Sequence, residues 1–281
     1  MAISARIPAG ADTAGFVPEL WSKNVLDAIH SKLVVVPLVD HTWEPELTKG
    51  DTMNVGILNT VTATEVTIGT EGVIQDHASG SKLQIVIDQY FEAPVVIDDM
   101  TNLQNQVSLR GKAERESAYA IAKKMDSTLC DLFDNFASTK GTDGSAVTDD
   151  VLIACVEALD EADVPEDQRV WIGDPSMKAD LLKITKFVSV DFVRSTVVPT
   201  GKFGDIYGAP FFITNNLTVN STGNDGVYMH KEALAIIAQE TMRGDFVLQP
   251  LKHQITINTT ALWGVLEMRN TFGVGLSTRK S

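Results

Sequence analysis

The sequence has few cysteines, a deficit of positive charge and no long hydrophobic run. Its two cysteines, Cys130 and Cys155, lie among apolar, helix-forming neighbours, which favours buried free thiols over a disulfide. Acidic residues outnumber basic ones 37 to 23, and the net charge of −14 argues against a general nucleic-acid binder, which needs a basic footprint. No segment approaches the roughly 20 apolar residues of a membrane span or has the apolar centre of a signal peptide. We therefore expect a soluble chain, made in the cytoplasm, that does not bind membranes.

The sequence also lacks the motifs of catalysis and cofactor binding. It contains no G-x-S-x-G, no G-x-x-x-x-G-K-[ST] and no complete dinucleotide fingerprint. The doublets Asp98-Asp99 and Asp149-Asp150 precede predicted helices, where carboxylates cap free N–H groups. Segments 79–81, 141–145 and 220–226 have the composition of turns. No two histidines have metal-ligand spacing; they are His30, His41, His77, His230 and His253. The sequence thus predicts no catalytic, cofactor or metal site, and no enzyme.

The composition is that of a globular protein, with 44% hydrophobic and 21% charged residues, so a sizeable core is expected. Apolar residues alternate in "MNVGI" (53–57) and again in "LQIVI" (83–87), which predicts two strands. The second strand is expected to extend over 79–100. Between the two lies the polar, Thr-rich segment "NTVTATEVTIGTEGVIQDHA". The pattern predicts a long hairpin whose tip buries little of its own surface.

The strongest periodicity predicts a long helix over 101–138, capped by Asp99 or Thr101. Its apolar residues repeat at three and four: Ala118, Ile121, Ala122, Met125, Leu129, Leu132, Phe133 and Phe136. At 1.5 Å per residue, this element would reach roughly 55 Å. Gly111 is expected to divide it into a frayed first part and a firm second part.

Other patterns complete an α+β chain with a discontinuous layout. We predict helices over "ELWSKNVLDAIHSKL", from Thr148 or Asp149 to before Pro165, and from Pro175. An extended segment interrupted by Pro37 is predicted in "VVVPLVDHTW". Strands are predicted in "RVWIGDP", "GDIYGAPFFITNNL" and "GNDGVYMHKEALAIIAQE", and paired long strands from Asp245 to the C-terminus.

This order of elements resembles the major capsid protein of tailed bacteriophages, which has the Hong Kong ninety-seven fold. "FVPELWSKNVLDAIHSKLVVVPLVDHTWEPELTKGDTMNVG" is similar to the opening of that family, "QYFEAPVVIDDM" to the return of its extended loop, and "AERESAYAIAKKMDSTL" to its spine helix. "ALDEADVPEDQRVWIGDPSMKADLLK", "GDIYGAPFFITNNL" and "MHKEALAIIAQE" resemble its axial domain. The resemblance spans nearly the whole chain, and its specificity lies in the order of these phrases.

The resemblance implies five segments. They are an N-terminal arm with a short helix at 1–44, an extended loop at 45–98, a peripheral domain with the spine helix at 99–145, an axial domain at 146–236, and returning strands of the peripheral domain at 237–281. In this family the extended loop lies across a neighbouring subunit, which would explain a hairpin that is poorly buried alone. Some members crosslink a loop lysine, but nothing marks Lys49 or Lys82 as reactive.

The resemblance also implies partners and a location. The chain would assemble with itself as hexamers and pentamers into the icosahedral shell of the virion, formed in the host cytoplasm. A separate scaffolding protein is expected, because only about twenty residues precede Trp21. A portal, a decoration protein and packaged double-stranded DNA, contacted without sequence specificity, are further expected partners. The alternatives are an encapsulin-type compartment shell, an enzyme with a mobile lid at 58–82, and a carbohydrate- or protein-binding module.

Overall fold

The computed structural model describes residues 33–44, 50–58, 61–69, 71–72, 74–75, 77–98, 100, 110–184, 204–218 and 223–280. The predicted N-terminal arm, almost all of its helix, and the predicted caps Asp99 and Thr101 lie outside these residues. Helices and strands both occur, as the sequence predicts. They are, in chain order, β1 (Thr52–Leu58), β2 (Ala78–Val86), β3 (Gln89–Asp98), α1 (Arg110–Cys130), β4 (Ser138–Gly141), α2 (Asp149–Glu161), β5 (Arg169–Gly173), α3 (Pro175–Leu181), β6 (Asp205–Ile206), β7 (Ala209–Ile213), β8 (Gly223–His230), β9 (Leu234–Gln249), β10 (Gln254–Glu267) and β11 (Gly273–Arg279).

The described strands form three sheets. β1 and β2 make an antiparallel pair, and β3, β10 and β9 make an antiparallel sheet with β10 at its centre. The remaining strands form a mixed six-stranded sheet in the order β4-β11-β8-β5-β7-β6. β4 and β11 come from parts of the chain assigned to the peripheral domain, yet β11 pairs with β8 of the part assigned to the axial domain, and β4 pairs with β11.

The helix α1 lies on the three-stranded sheet, and its predicted apolar stripe is buried there. Ile121, Met125 and Leu129 are buried, and the Ser117 hydroxyl donates to the Ala93 carbonyl oxygen of β3 at 2.6 Å. Among the described residues the helix ends at Cys130, so the predicted continuation to 138 is wrong. α1 includes Gly111, and its 21 residues span roughly 31 Å.

Tertiary packing explains why α1 ends early. Phe133 and Phe136, which the periodicity assigns to the helix, are buried in a 3₁₀ turn and in the extended residue after it. The Phe136 ring lies directly over Gly273 of β11, where any Cβ would overlap it. Burial of these two rings in the core, with that of Phe136 against β11, outweighs the gain from another helical turn.

The six-stranded sheet is buried on both faces. Val170 and Ile172 of β5 face a core that also contains the C-terminal half of α1 and Trp263 of β10. Trp171, between them in sequence, faces α2 and α3 and stacks on Tyr228 with ring centroids 3.9 Å apart. The alternation along β5 thus connects two cores, and the predicted buried strand is confirmed.

Three predictions for extended or turn segments are wrong. The single strand predicted over 79–100 is two strands in different sheets, β2 and β3, because the chain leaves β1 after Ile87, whose N–H donates to the Asp51 carbonyl oxygen at 2.8 Å, and then pairs with β10. The predicted turn at 79–81 lies within β2. The segment interrupted by Pro37 is a 3₁₀ turn at Val36–Leu38, since the proline sets the φ that such a turn needs.

The predicted surface turn at 220–226 is also wrong where the structure describes it. Gly223–His230 is strand β8, and Asn224 and Asp225 are buried in it. The Asn224 side-chain amide donates to Asp174 Oδ2 at 2.7 Å, and the Thr278 hydroxyl donates to the Asn224 carbonyl oxygen at 3.0 Å. These long-range hydrogen bonds satisfy polar groups that in a sequence indicate a turn.

Candidate assembly surfaces

The base of the β1–β2 hairpin is fixed to the body of the chain. Its strands pair from Thr52↔Val86 to Gly56↔Lys82, which confirms the two strands that the alternating patterns predict. Ile85 and Ile87 are buried and pack against Ile237 of β9. Around them lie half-buried apolar residues from the hairpin and from β10, namely Met53, Val55, Leu262 and Leu266.

A glycine allows this close packing. Gly264 of β10 faces the main chain of Val86 and Ile87, and a Cβ at position 264 would overlap the Val86 carbonyl oxygen. Sequence reasoning missed this residue, although a glycine inside a strand pattern often marks the close approach of another backbone. The hairpin therefore leaves the body from a rigid base.

The tip of the hairpin is different. Ile68 and Ile74 expose 101% and 97% of their reference surface, and Val61 and Val66 are more than half exposed. The described residues of the tip are held mainly by Gln75, whose amide accepts from the Thr62 N–H at 2.9 Å and donates to the Thr62 carbonyl oxygen at 2.6 Å. A rigid base that ends in exposed β-branched residues fits a segment that packs on another molecule.

A groove of about 570 Å³ separates the hairpin from the body. Its walls are mostly apolar and come from β1, β2, the residues around Trp43 and the chain after β10. A second exposed apolar surface occupies the β9–β10 turn, where Leu248 and Leu251 are 70% and 98% exposed. The Arg110 guanidinium lies 4.2 Å from the centroid of the Phe246 ring in the same region.

The buried carboxylate of Asp126 joins three segments that are far apart in the sequence. Asp126 of α1 is fully buried, and its Oδ1 accepts from the N–H groups of Val35 and Val36 at 2.7 and 3.2 Å. Its Oδ2 accepts from the Asn216 side-chain amide at 3.0 Å. The sequence pattern did not indicate the buried Asp126, because a lone aspartate gives no local indication of long-range partners.

The acidic doublet Asp149-Asp150 lies at the start of a helix. Asp149 and Asp150 lie in the first turn of α2, as predicted, and Thr148 occupies the N-cap position, although its side chain accepts no capping hydrogen bond. The Tyr207 hydroxyl donates to the Asp149 carboxylate, and burial together with this contact raises the pKa of Tyr207 to about 12. Within the described residues, no group of three or more His, Cys, Asp or Glu side chains could hold a metal ion.

Another acidic group has an altered pKa. Burial, followed by the charges of Asp134 and Asp143, raises the pKa of Asp225 to about 7.

Both cysteines are buried free thiols, as predicted, and burial raises the pKa of Cys155 to about 12. None of the helices in the described part of the chain is long and apolar enough to cross a membrane.

Solved structures with the same fold include chains from phages. A chain from Mycobacterium phage Che8 is 24% identical and has a TM-score of 0.81, covering 93% of this chain and 97% of that one. A chain of the capsid of the Cyanophage P-SCSP1u is 15% identical, with a TM-score of 0.78 and coverage of 99% and 100%. A chain of the bacteriophage PhiM1 mature capsid is 14% identical, with a TM-score of 0.73 and coverage of 93% and 91%.

No protein-family model and no curated protein sequence matches the chain. The structural likeness covers almost the whole length of both partners, so it applies to the complete arrangement of hairpin, α1 and sheets. The α+β capsid fold expected from the order of sequence phrases is confirmed. The chain has the fold of phage capsid subunits.

Proposed function

We propose that this chain is the major capsid protein of a tailed phage, which self-assembles into the icosahedral shell around a double-stranded DNA genome. The observation that carries the proposal is the hairpin, which is rigid at Ile85 and Gly264 and ends in the exposed Ile68 and Ile74. Such a tip gains its apolar contacts only from another subunit. The fold shared with phage capsid chains supports the same function.

In this proposal the segments have separate roles. Residues 1–44 are the arm, 45–98 the extended loop, 99–145 and 237–281 the peripheral domain with α1 as its spine, and 146–236 the axial domain. The six-stranded sheet supports one refinement. β11 pairs with the axial strand β8 and β4 pairs with β11, so both strands belong with the axial domain.

The partners follow from this role. Other copies of the chain, arranged as hexamers and pentamers, would be the principal ones, and the exposed tip and the turn near Leu251 would be the surfaces used. A scaffolding protein, a portal and a decoration protein would join the shell as it forms in the host cytoplasm. The protein would act by assembly and not as an enzyme.

Substitutions at the tip test the proposal. Because Ile68 and Ile74 are exposed in the single chain, the double variant Ile68→Asp/Ile74→Asp should keep the unfolding midpoint of the wild type. Buried in an interface, the same two charges would prevent association. We expect the wild-type chain, expressed with its scaffolding protein, to give closed shells in negative-stain electron microscopy, and the variant to remain small in sedimentation velocity.

Ile68→Val/Ile74→Val is the matched control and should form shells. Normal shells from the aspartate variant would show that the tip is not an assembly contact. A wild-type chain that stays monomeric with its scaffolding protein would contradict the proposed function itself.

A further inference from the structure

One edge of the six-stranded sheet is open and apolar. On one side β7 pairs with β5, but on the other side its described strand partner, β6, pairs only with the first two residues of β7. Beyond them the Phe211 N–H donates to the Gly204 carbonyl oxygen at 3.2 Å, and the strand ends with Phe212 and Ile213, whose side chains are half-buried. Proteins commonly cover such an edge with a helix or a loop, because an exposed apolar edge strand promotes aggregation.

This edge is one wall of a cleft of about 250 Å³, which we call the β7 cleft. The opposite wall is the chain that follows the predicted N-terminal helix. The described residues that line the cleft are all apolar; they are Leu33, Val34, Pro37, Leu38, Phe211, Phe212 and Ile213. An apolar cavity of about 150 Å³ is large enough for a benzene ring, so the β7 cleft has room for about two aliphatic side chains.

The chain enters the β7 cleft from a fixed position. Leu33 lines the cleft and is half-buried, and Val34 and Val35 are buried directly after it. The N–H groups of Val35 and Val36 donate to the Asp126 carboxylate at 2.7 and 3.2 Å. The segment that precedes Leu33 therefore starts at the cleft, with no linker between the two.

The sequence of this segment has an apolar face that suits the cleft. The predicted N-terminal helix ends near Leu33, and Leu26 and Ile29 precede Leu33 by seven and four residues. In a helix these spacings put the three side chains on one face, whereas Asn24 and Asp27 fall on the other. Because Leu33 already lines the cleft, the same face of a helix would direct Ile29 and Leu26 to it. Four residues of helix rise by roughly 6 Å, so Ile29 is within reach of the cleft.

We propose that the β7 cleft is the docking site of the segment 19–32 of the same chain, and that Leu26 and Ile29 fill it and cover the edge of β7. The same chain is favoured over a second copy, because the attachment at Leu33 gives its own segment a high effective concentration at the cleft. The docked helix would leave residues 1–18 of the predicted arm to reach a neighbouring subunit. This consequence rests on the proposed function, whereas the docking itself does not.

The first experiment measures whether the segment covers the cleft, with Ile213→Cys as the reporter in the unassembled chain. Cys130 and Cys155 are buried, so a maleimide reports on position 213. Adding Ile29→Asp places a carboxylate without a partner in an apolar cleft, and we expect it to raise the labelling rate by about tenfold or more. The matched control Asn24→Asp adds the same charge on the opposite face of the helix and should leave the rate unchanged.

Equal labelling rates in the Ile29→Asp and Asn24→Asp backgrounds would overturn the docking. In each variant the two native cysteines must stay unlabelled, which shows that the cores are intact. If Ile29→Asp opens the cores, Ile29→Ala takes its place, since it removes the apolar contact without adding a charge. It should also raise the labelling rate at position 213, by a smaller factor, and an unchanged rate would overturn the docking as well.

The second experiment tests whether the docked segment belongs to the same chain. In dilute Ile29→Cys/Ile213→Cys we expect a short bismaleimide to link the two positions within one chain. The link should form much more slowly in Asn24→Cys/Ile213→Cys, because a helix about 10 Å wide separates position 24 from the cleft. Equal rates in the two variants, or a crosslinked dimer when Ile29→Cys chains are mixed with Ile213→Cys chains, would overturn the proposal. Both experiments use the unassembled chain, so failure to form shells would instead contradict the proposed function.

Discussion

Asp126 Oδ1 accepts a hydrogen bond from the main-chain nitrogen of Val35 at 2.7 Å, although the two residues are 91 positions apart. The contact fixes the last part of segment 1–44 to the middle of α1. The other carboxylate oxygen accepts from the Asn216 amide, so one side chain holds three segments together. Position 126 therefore determines how these three segments meet.

Removal of the Asp126 carboxylate should destabilise the folded chain. Asp126→Ala leaves buried N–H donors of Val35 and Asn216 without an acceptor, and we expect the free energy of unfolding to fall by about 3 kcal/mol or more. Asp126→Asn should cost less, because its amide oxygen can still accept from Val35, while its NH₂ group opposes that of Asn216. Chemical denaturation of the purified chain measures both changes.

A reversed pair provides the control for this prediction. In Asp126→Asn/Asn216→Asp the amide at 126 can donate to a carboxylate at 216, so the double variant should recover part of the stability lost in Asp126→Asn. Additive losses in the double-mutant cycle would show that the two side chains do not interact.

Gly264→Ala should loosen the hairpin base. The new methyl group would overlap the Val86 carbonyl oxygen, and since both groups belong to main chains, the strands must separate. We expect a loss of about 1–3 kcal/mol in stability and faster hydrogen exchange in residues 83–87. Gly244→Ala, on the neighbouring strand β9 with nothing within 4 Å of its Cβ position, is the matched control and should behave like the wild type. Similar exchange rates in the two variants would contradict the proposed close packing.

Stability should depend on pH through Asp225. Burial, then Asp134 and Asp143, raises the pKa of Asp225 to about 7 in the folded chain, whereas an unfolded aspartate titrates near about 4. The folded state therefore binds more protons between these values, and the contribution of Asp225 to stability is full below pH of about 4 and is lost as pH rises to about 7. We expect the difference in unfolding free energy between wild type and Asp225→Asn to change across this window.

Other carboxylates titrate in the same range, so the comparison with the variant matters. Asp134→Asn removes one of the charges that face Asp225 and should lower the pKa of Asp225, which makes the pH dependence weaker but does not abolish it. A wild-type and an Asp225→Asn chain with parallel stability curves from acid to neutral pH would refute the assignment.

The two thiols should be unreactive in the folded chain. Burial raises the pKa of Cys155 to about 12 and that of Cys130 well above its usual value, so the thiolate is scarce in both. A thiol-disulfide reagent at mildly alkaline pH should titrate neither cysteine in native protein and both in denaturant. Rapid reaction of one thiol in the native state would mean that its core opens on the time scale of the assay.

Local sequence patterns were sufficient to predict the helices and strands whose buried residues recur at a regular spacing. The stripe of Ile121, Met125 and Leu129 gives α1 its buried face, and the alternation that includes Ile85 in β2 and Ile87 just after it gives the hairpin the face that packs on the body. Because one side of each element must be apolar to be buried, the period is visible in the sequence. The order of these elements along the chain was enough to indicate the capsid fold.

Features that depend on distant groups were not predictable from local patterns. The end of α1 depends on the burial of the Phe133 and Phe136 rings, the latter against β11, and the strand at Asn224 and Asp225 depends on Asp174 and Thr278. Asp126 resembles any helical surface charge until Val35 and Asn216 are brought to it. The sequence by itself determined the type and order of the elements, through the periodicity of apolar residues. Only the tertiary structure decided where they end and which polar groups are buried, because hydrogen bonds and packing between residues far apart in the chain outweigh local propensity.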